Sequence, residues 1–153
     1  MKKAFIAIVL ILTNISVYGQ QKEHKNPLPL ATYNENVNLP LTTKERNQII
    51  EAYGESADKL VFNQPHRLKS IKHILRNRVE IRLITDEKNK KPCPKLSEVS
   101  FFNNSVTPSK TKTAFNPETF NPLNYNFEFY SRAASIYHVD GTNYYIIIKS
   151  QYQ

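Results

Sequence analysis

One stretch of the sequence, residues 66–81, concentrates side chains that could bind an anion. Five Lys or Arg and two His precede its first acidic residue, Glu80. A helix over this stretch would have an apolar face and, opposite it, a basic face. The candidate binding residues lie on or beside that basic face: Arg67, Lys69, Lys72, His73 and Arg76. The same pattern is typical of a surface helix whose charged side is simply solvated, and we favour this second interpretation.

The histidines of this stretch do not have the spacing of metal ligands. His66 and His73 lie seven positions apart, which places them about 10.5 Å apart along a helix axis. Ligands of one zinc ion each lie about 2 Å from it, and the sequence has no His-Glu-x-x-His motif. We therefore expect no metal site and no cofactor.

A second group of residues could supply nucleophilic or acid–base chemistry. Cys93 lies in Lys-Pro-Cys-Pro-Lys, where the lysines favour the thiolate. His138 and Asp140 form a His-x-Asp pair, in which a carboxylate could orient an imidazole. A hydrolase would also need an oxyanion hole, and no Gly-x-Ser-x-Gly motif is present. We favour the interpretation that Asp140 stabilises a turn and that His138 pairs with Asn143 across it.

The N-terminus has the three parts of a secretory signal peptide. Lys2 and Lys3 precede an apolar run over residues 4–12, and a cleavage site follows that ends at Gly19. The alternative is an uncleaved membrane anchor, which we favour less because the apolar run is shorter than the roughly 20 residues that span a bilayer. Residues 1–19 are therefore predicted to be removed on export, to the periplasm or outside the cell. No later run is long enough for a transmembrane span.

The composition is basic, with a formal net charge of +8. An exported chain is not expected to meet nucleic acid, and no nucleic-acid-binding motif accompanies the basic run. The anions that remain are those of the cell envelope and of acidic proteins. We therefore expect an anionic envelope component or an acidic protein as partner, and no nucleic acid.

The elements that must position these residues begin after a polar, proline-containing stretch, residues 20–40, which is predicted to be a flexible leader. Residues 41–153 are predicted to form a single domain. Thr42 and Glu45 have the spacing of a capping box, so a helix begins there, and Gly54 is suited to end it. Residues 55–62 then form either a second short helix or a strand.

The basic stretch is predicted to be an amphipathic helix over residues 66–77, leading directly into a strand over residues 79–85. A short strand is expected within residues 96–103. Residues 104–124 show no periodicity, and loops of that length are often functional, so this loop is a second candidate surface. It contains a repeated Phe-Asn-Pro, at 115–117 and 120–122, in which each Phe is expected to anchor an Asn-Pro turn on the core.

The C-terminal third is predicted to be strand, beginning with the alternation of aromatic residues over 125–130. Asp140-Gly141 then indicates a hairpin with a two-residue turn, in which Tyr137 pairs with Tyr144. Both faces of the hairpin are apolar, so it is expected to lie inside a sheet. The predicted fold class is α+β, with N-terminal helices packed on a mostly antiparallel sheet that includes this hairpin.

The signal peptide, the segment KPCPKLSEV, the paired FNP turns and the closing NYNFEFYSRAASIYHVDGTNYYIIIKSQYQ resemble small exported bacterial proteins of uncharacterised function. That resemblance implies export but no activity, fold or catalytic residue. The leading hypothesis is an exported, non-catalytic domain that binds an envelope component or a protein partner through the basic helix. The alternative is a small exported hydrolase that uses Cys93 or His138.

Overall fold

The computed structural model describes residues 33–90, 92–103 and 115–152. The predicted signal peptide, the first part of the leader and the first part of the long loop lie outside the described residues. The described part is α+β, as predicted, with helices and a three-stranded antiparallel sheet. Among the described residues no helix has the length and apolar character needed to cross a membrane.

Helix α1 spans Thr43–Tyr53 and begins at the predicted capping box. The Thr42 hydroxyl accepts a hydrogen bond from the Glu45 backbone N–H at 3.2 Å, and the Glu45 carboxylate accepts one from the Thr42 N–H at 2.8 Å. Gly54 ends the helix with a φ of 54°, in the left-handed region that glycine tolerates best. Residues 54–62 continue as short 3₁₀ and π turns, so the helical alternative is correct for this segment.

Helix α2 spans Pro65–His73 and continues into a π-helical turn over Ile74–Arg78. Strand β1, Val79–Leu83, follows without a loop. The buried Arg78 fixes this junction, because its guanidinium donates to the Lys149 carbonyl oxygen at 2.6 and 3.0 Å, and its own carbonyl accepts from the Lys149 N–H at 2.8 Å. The junction of helix and strand is thus bonded to the backbone at Lys149, near the C-terminus of the chain.

The sheet has the order β1-β3-β2, where β2 is Ser135–His138 and β3 is Tyr144–Ile148. The C-terminal hairpin therefore exists, and its second strand is the central strand. Two clusters of apolar side chains fill the interior. The first joins the helices through Ile49, Ala52, Ala57, Val61, Ile71, Ile74 and Leu123. The second lies on one face of the sheet and comprises Leu96, Phe127, Val139, Ile146 and Ile148.

The predicted pairing of the hairpin is wrong by two residues. Tyr137 pairs with Ile146, and the closing pair is Val139 with Tyr144, so the loop has four residues. The reason is Thr142, whose hydroxyl donates to the Val139 carbonyl oxygen at 2.9 Å and accepts from the Tyr144 N–H at 3.0 Å. A shift of two residues keeps the predicted faces, because side chains in a strand alternate with period two.

Two further strand predictions are wrong. Residues 96–103 hold a short 3₁₀ helix, Leu96–Glu98, and a single bridge between Phe101 and Tyr125. Residues 126–130 form no strand, and the Phe129 N–H instead donates to the Phe127 carbonyl oxygen, two residues back, at 2.7 Å. Here the alternating aromatic pattern reflects side chains packed on the core without a β-ladder.

The repeated Phe-Asn-Pro motif forms two similar turns. The side-chain oxygen of Asn116 accepts from the Glu118 N–H at 2.9 Å, and that of Asn121 accepts from the Leu123 N–H at 3.1 Å. Both phenylalanines pack against the second apolar cluster, with Phe115 and Phe120 in ring contact at 5.5 Å. The expected anchoring role of the two Phe residues is confirmed.

Candidate functional site

The predicted basic face of α2 is divided by the fold. Arg67 and Lys69, near the start of the helix, are exposed. Lys72 and His73 are each only 8% exposed, and the side chain of Arg76 is 12% exposed. The expectation of a solvated face is therefore wrong for the second half of the helix, where residues 34–40 lie over it and bond to it.

Arg76 forms the centre of this contact. Its guanidinium donates to both carboxylate oxygens of Glu45, at 2.5 and 2.7 Å. It also donates to the carbonyl oxygens of Asn36 and Leu39, and to that of Pro40 at 2.8 Å. Its hydrogen bond to Glu45 raises the pKa of Arg76 and lowers that of Glu45, so both groups stay ionised. The donors of Arg76 are thus used in hydrogen bonds within the protein.

Asn36, within residues 34–40, and the neighbouring Tyr33 reinforce the contact. The side-chain amides of Asn36 and Asn77 donate to each other, at 2.8 and 3.0 Å. The ring of Tyr33 meets the ring of His73 edge-on, with centroids 4.9 Å apart. Burial, followed by the charge of Arg78, lowers the pKa of His73 below its usual value. His73 therefore favours the neutral form in the folded protein.

This burial makes stability depend on pH. Because the pKa of His73 is lower in the folded than in the unfolded state, the unfolded state binds its proton first as pH falls. We expect the free energy of unfolding to be highest above about pH 6.5, the ordinary histidine pKa. It should decrease as pH falls from there through the pKa of the folded state. Urea unfolding between pH 8 and pH 5 measures this slope.

The two histidines of α2 provide a matched comparison. His73→Gln should flatten the slope between pH 6.5 and pH 5, whereas His66→Gln, at an exposed position, should leave it unchanged. A slope that persists in full in His73→Gln would show that other groups cause it.

The candidate catalytic residues are closer together than the sequence indicated. The segment that carries Cys93 lies beside the end of β2, where the His138 N–H donates to the Pro94 carbonyl oxygen at 2.9 Å. The carboxylate of Asp140 accepts from the N–H and hydroxyl of Ser97, at 3.0 and 2.8 Å. Asp140 thus fastens this segment to the hairpin, a role that the sequence did not suggest.

In the described residues, the side chains of His138 and Asp140 bond to groups other than each other. In the hairpin His138 pairs with Tyr145 and not, as predicted, with Asn143, and its ring bonds through Nε2 to the Thr142 carbonyl oxygen at 2.7 Å. Burial raises the pKa of the Cys93 thiol, only partly offset by the His138 backbone N–H. A raised pKa disfavours the thiolate that a cysteine nucleophile needs. In the described part of the chain, no group of three or more His, Cys, Asp or Glu side chains could hold a metal ion.

Arg67 does not lie at the contact around Arg76 but lines an aromatic groove of about 200 Å³. Its floor comprises side chains of the two apolar clusters: Ile71, Ile74, Leu123 and Phe127. Its other lining residues are Tyr53, Arg67, Phe102, Tyr125, Asn126, Phe129 and Tyr130. Two of these are exposed aromatic rings, Phe102 at 43% and Tyr130 at 65%. We call this feature the aromatic groove.

Arg67 is the one charged side chain among the described lining residues. Its guanidinium lies over the ring of Tyr53, 5.5 Å from the centroid, and that ring contacts Phe102 with centroids 5.0 Å apart. Stacking on an aromatic ring holds a guanidinium in place and leaves its donors available for a carboxylate or phosphate. Such an arrangement can bind an anion that carries an apolar group.

The sequence identified Arg67 but missed the aromatic residues beside it. Phe102 falls in the short strand expected within residues 96–103, and residues 125–130 fall in another predicted strand. The one available signal was the density of aromatic residues in segments that also contain Asn and Pro, which is unusual for regular strands. Composition alone does not indicate that these segments meet at the start of α2.

Comparisons with known proteins give no match: no family model, no curated protein and no solved structure is similar to this chain. The functional interpretation therefore depends on the chemistry of the site.

Proposed function

We propose that the chain is an exported, non-catalytic binding domain that holds an anionic partner at the exposed start of α2. The observation that carries the proposal is Arg67. Its guanidinium is exposed, rests on Tyr53, and forms no ion pair with a carboxylate in the described residues. A preorganised guanidinium without an internal partner is suited to an external carboxylate or phosphate.

Lys69 supports the same surface. It is exposed, and its ammonium nitrogen lies 5.4 Å from the centroid of the Tyr33 ring. By contrast, the remaining cations of the helix are buried or bonded within the protein, so they are poor candidates for binding. Removal of the predicted signal peptide takes away Lys2 and Lys3, and the formal net charge of +6 that remains from the +8 of the full sequence would add long-range attraction for an anionic partner.

Export is the second part of the proposal, to the periplasm or outside the cell. It is supported by the signal-peptide pattern of residues 1–19. Anionic envelope components and acidic proteins are the partners that such a compartment offers. The hydrolase alternative has less support, because the His138 ring bonds to Thr142 and the pKa of the Cys93 thiol is raised.

The proposal is tested by binding of the purified protein to polyglutamate and to vesicles with an anionic lipid, at low and at physiological salt. We expect binding at low salt that weakens steeply as salt screens the charges, with a Debye length of about 10 Å at 0.1 M. The variant Arg67→Glu/Lys69→Glu should bind at least about tenfold more weakly, because it places like charges against the partner.

The matched control makes the same charge change at two other exposed lysines, in Lys59→Glu/Lys88→Glu. It should lose less affinity than the Arg67/Lys69 variant. Equal losses in the two variants would mean that only net charge matters, and no binding at low salt to either anion would refute the proposal.

A further inference from the structure

The aromatic groove has the size of a site for one side chain. Pockets for small organic ligands usually measure about 300–1,000 Å³, whereas this groove measures about 200 Å³. At protein interfaces, comparable pockets receive single anchor side chains that carry much of the binding energy. The dimensions therefore favour one apolar side chain of a partner over a complete small molecule.

The chemistry of the groove also favours an apolar occupant. Its floor is built from buried aliphatic and aromatic side chains, among them Ile71, Ile74 and Leu123. The amide nitrogen of Asn126 is already used, since it donates to the Ser100 hydroxyl at 3.0 Å and the Phe101 carbonyl oxygen at 3.2 Å. An aromatic or large aliphatic side chain would bury its apolar surface against this floor, which is favourable.

Charge complementarity identifies what should flank that side chain. Arg67 is the only charged group among the described lining residues, and none of them is acidic. A carboxylate next to the inserted side chain would reach a guanidinium that Tyr53 already holds in place. The exposed rings of Phe102 and Tyr130 would then cover the flanks of the inserted group.

We infer that the aromatic groove binds an extended acidic peptide segment of a partner protein, with one aromatic or large aliphatic side chain inserted next to an Asp or Glu. This inference rests on the proposed function, because it names the partner class for the anion surface at Arg67. It adds an apolar anchor that a purely electrostatic surface would not need.

The test uses the purified protein and three fluorescent peptides at one salt concentration: Asp-Glu-Phe-Glu-Asp, the same peptide with Ala for Phe, and Asn-Gln-Phe-Gln-Asn. We expect the first to bind most tightly. Loss of the Phe ring should weaken binding about tenfold or more, given the transfer free energy of a buried Phe side chain. Loss of the carboxylates should weaken it as well.

Variants then locate the site. Phe102→Ala/Tyr130→Ala should reduce affinity for the Phe peptide and leave that for the Ala peptide nearly unchanged. Leu83→Ala provides the control, because Leu83 is also an exposed apolar residue, at 55%, but does not line the groove. It should bind the Phe peptide as the unaltered protein does.

The outcomes separate the two proposals. Equal, salt-sensitive affinity for the Phe and Ala peptides would overturn the anchor and leave the anion surface standing. No binding of any acidic probe at low salt would overturn both. An acidic oligosaccharide that binds more tightly than the Phe peptide, and depends on Phe102 and Tyr130, would overturn the choice of a peptide.

Discussion

Replacing Arg76 by alanine is expected to lower the free energy of unfolding by about 2–3 kcal/mol, because it breaks charge-assisted hydrogen bonds in a partly buried ion pair. The substitution leaves the carboxylate of Glu45 in a site where its side chain is 10% exposed. It also removes the donor that the carbonyl oxygens of Asn36, Leu39 and Pro40 share. Residues 34–40 should then separate from α2. Urea or guanidinium unfolding measures the effect.

A second ion pair gives the control. Arg82 and Glu80 also approach to 2.5 Å, but their side chains are 55% and 33% exposed. Exposed pairs of this kind contribute about 0–1 kcal/mol, so Arg82→Ala should have little effect. If Arg76→Ala and Arg82→Ala had the same small effect, the contact between residues 34–40 and α2 would not stabilise the fold.

The bond geometry of Arg76 predicts a further distinction. Arg76→Lys keeps the charge but cannot bond both carboxylate oxygens and the carbonyl groups together, because an ammonium lacks the planar arrangement of donors. The free energy of unfolding of Arg76→Lys should therefore lie between that of the unaltered protein and that of Arg76→Ala. In the double variant Arg76→Ala/Glu45→Gln, the loss of unfolding free energy should be smaller than the sum of the losses in the two single variants.

Replacing Asn121 by alanine is expected to lower the free energy of unfolding by about 2–3 kcal/mol, since it removes several hydrogen bonds, one of them to a charged group. The amide nitrogen of Asn121 donates to the Gln48 carbonyl oxygen and to the Glu51 carboxylate, each at 2.9 Å. Its oxygen accepts from the Leu123 N–H. Asn121 is 4% exposed, so water cannot readily replace these bonds. Chemical denaturation with an unchanged m-value would establish the loss.

The repeated motif supplies the comparison within the same chain. Asn116 makes the corresponding turn and is also followed by Pro, but it is exposed, and among the described contacts its side chain forms only the local bond to the Glu118 N–H. Asn116→Ala should lower the free energy of unfolding by about 1 kcal/mol or less. Similar effects at both positions would mean that the turn itself matters and the bonds to α1 do not.

Local signals in the sequence predicted the helices well. A capping box and a following Gly determine the bounds of α1 through short-range hydrogen bonds, so the sequence contains what is needed. The change from a helical to an alternating pattern also located the start of β1 at Val79. Both features depend on neighbouring residues alone.

The errors arose where distant residues decide the outcome. A helical wheel shows that Lys72, His73 and Arg76 share a polar side, but not that residues 34–40 cover that side. The π-helical turn over Ile74–Arg78 also departs from 100° per residue, so a helical wheel does not place these residues correctly. For the candidate site, Arg67 could be predicted, whereas the aromatic groove depends on four segments that are remote from one another in sequence.

The order of the strands has a consequence for how fast the protein folds. In the described part of the chain, β1 and β2 have no strand neighbour except β3, which is the last of the three along the sequence. The sheet thus cannot begin to assemble from β1 and β2 alone. Pairing of β1 with β3 must close a loop from Leu83 to Tyr144, and such non-local contacts slow folding. We expect the helices to form early and the formation of the sheet to be the rate-limiting step of folding.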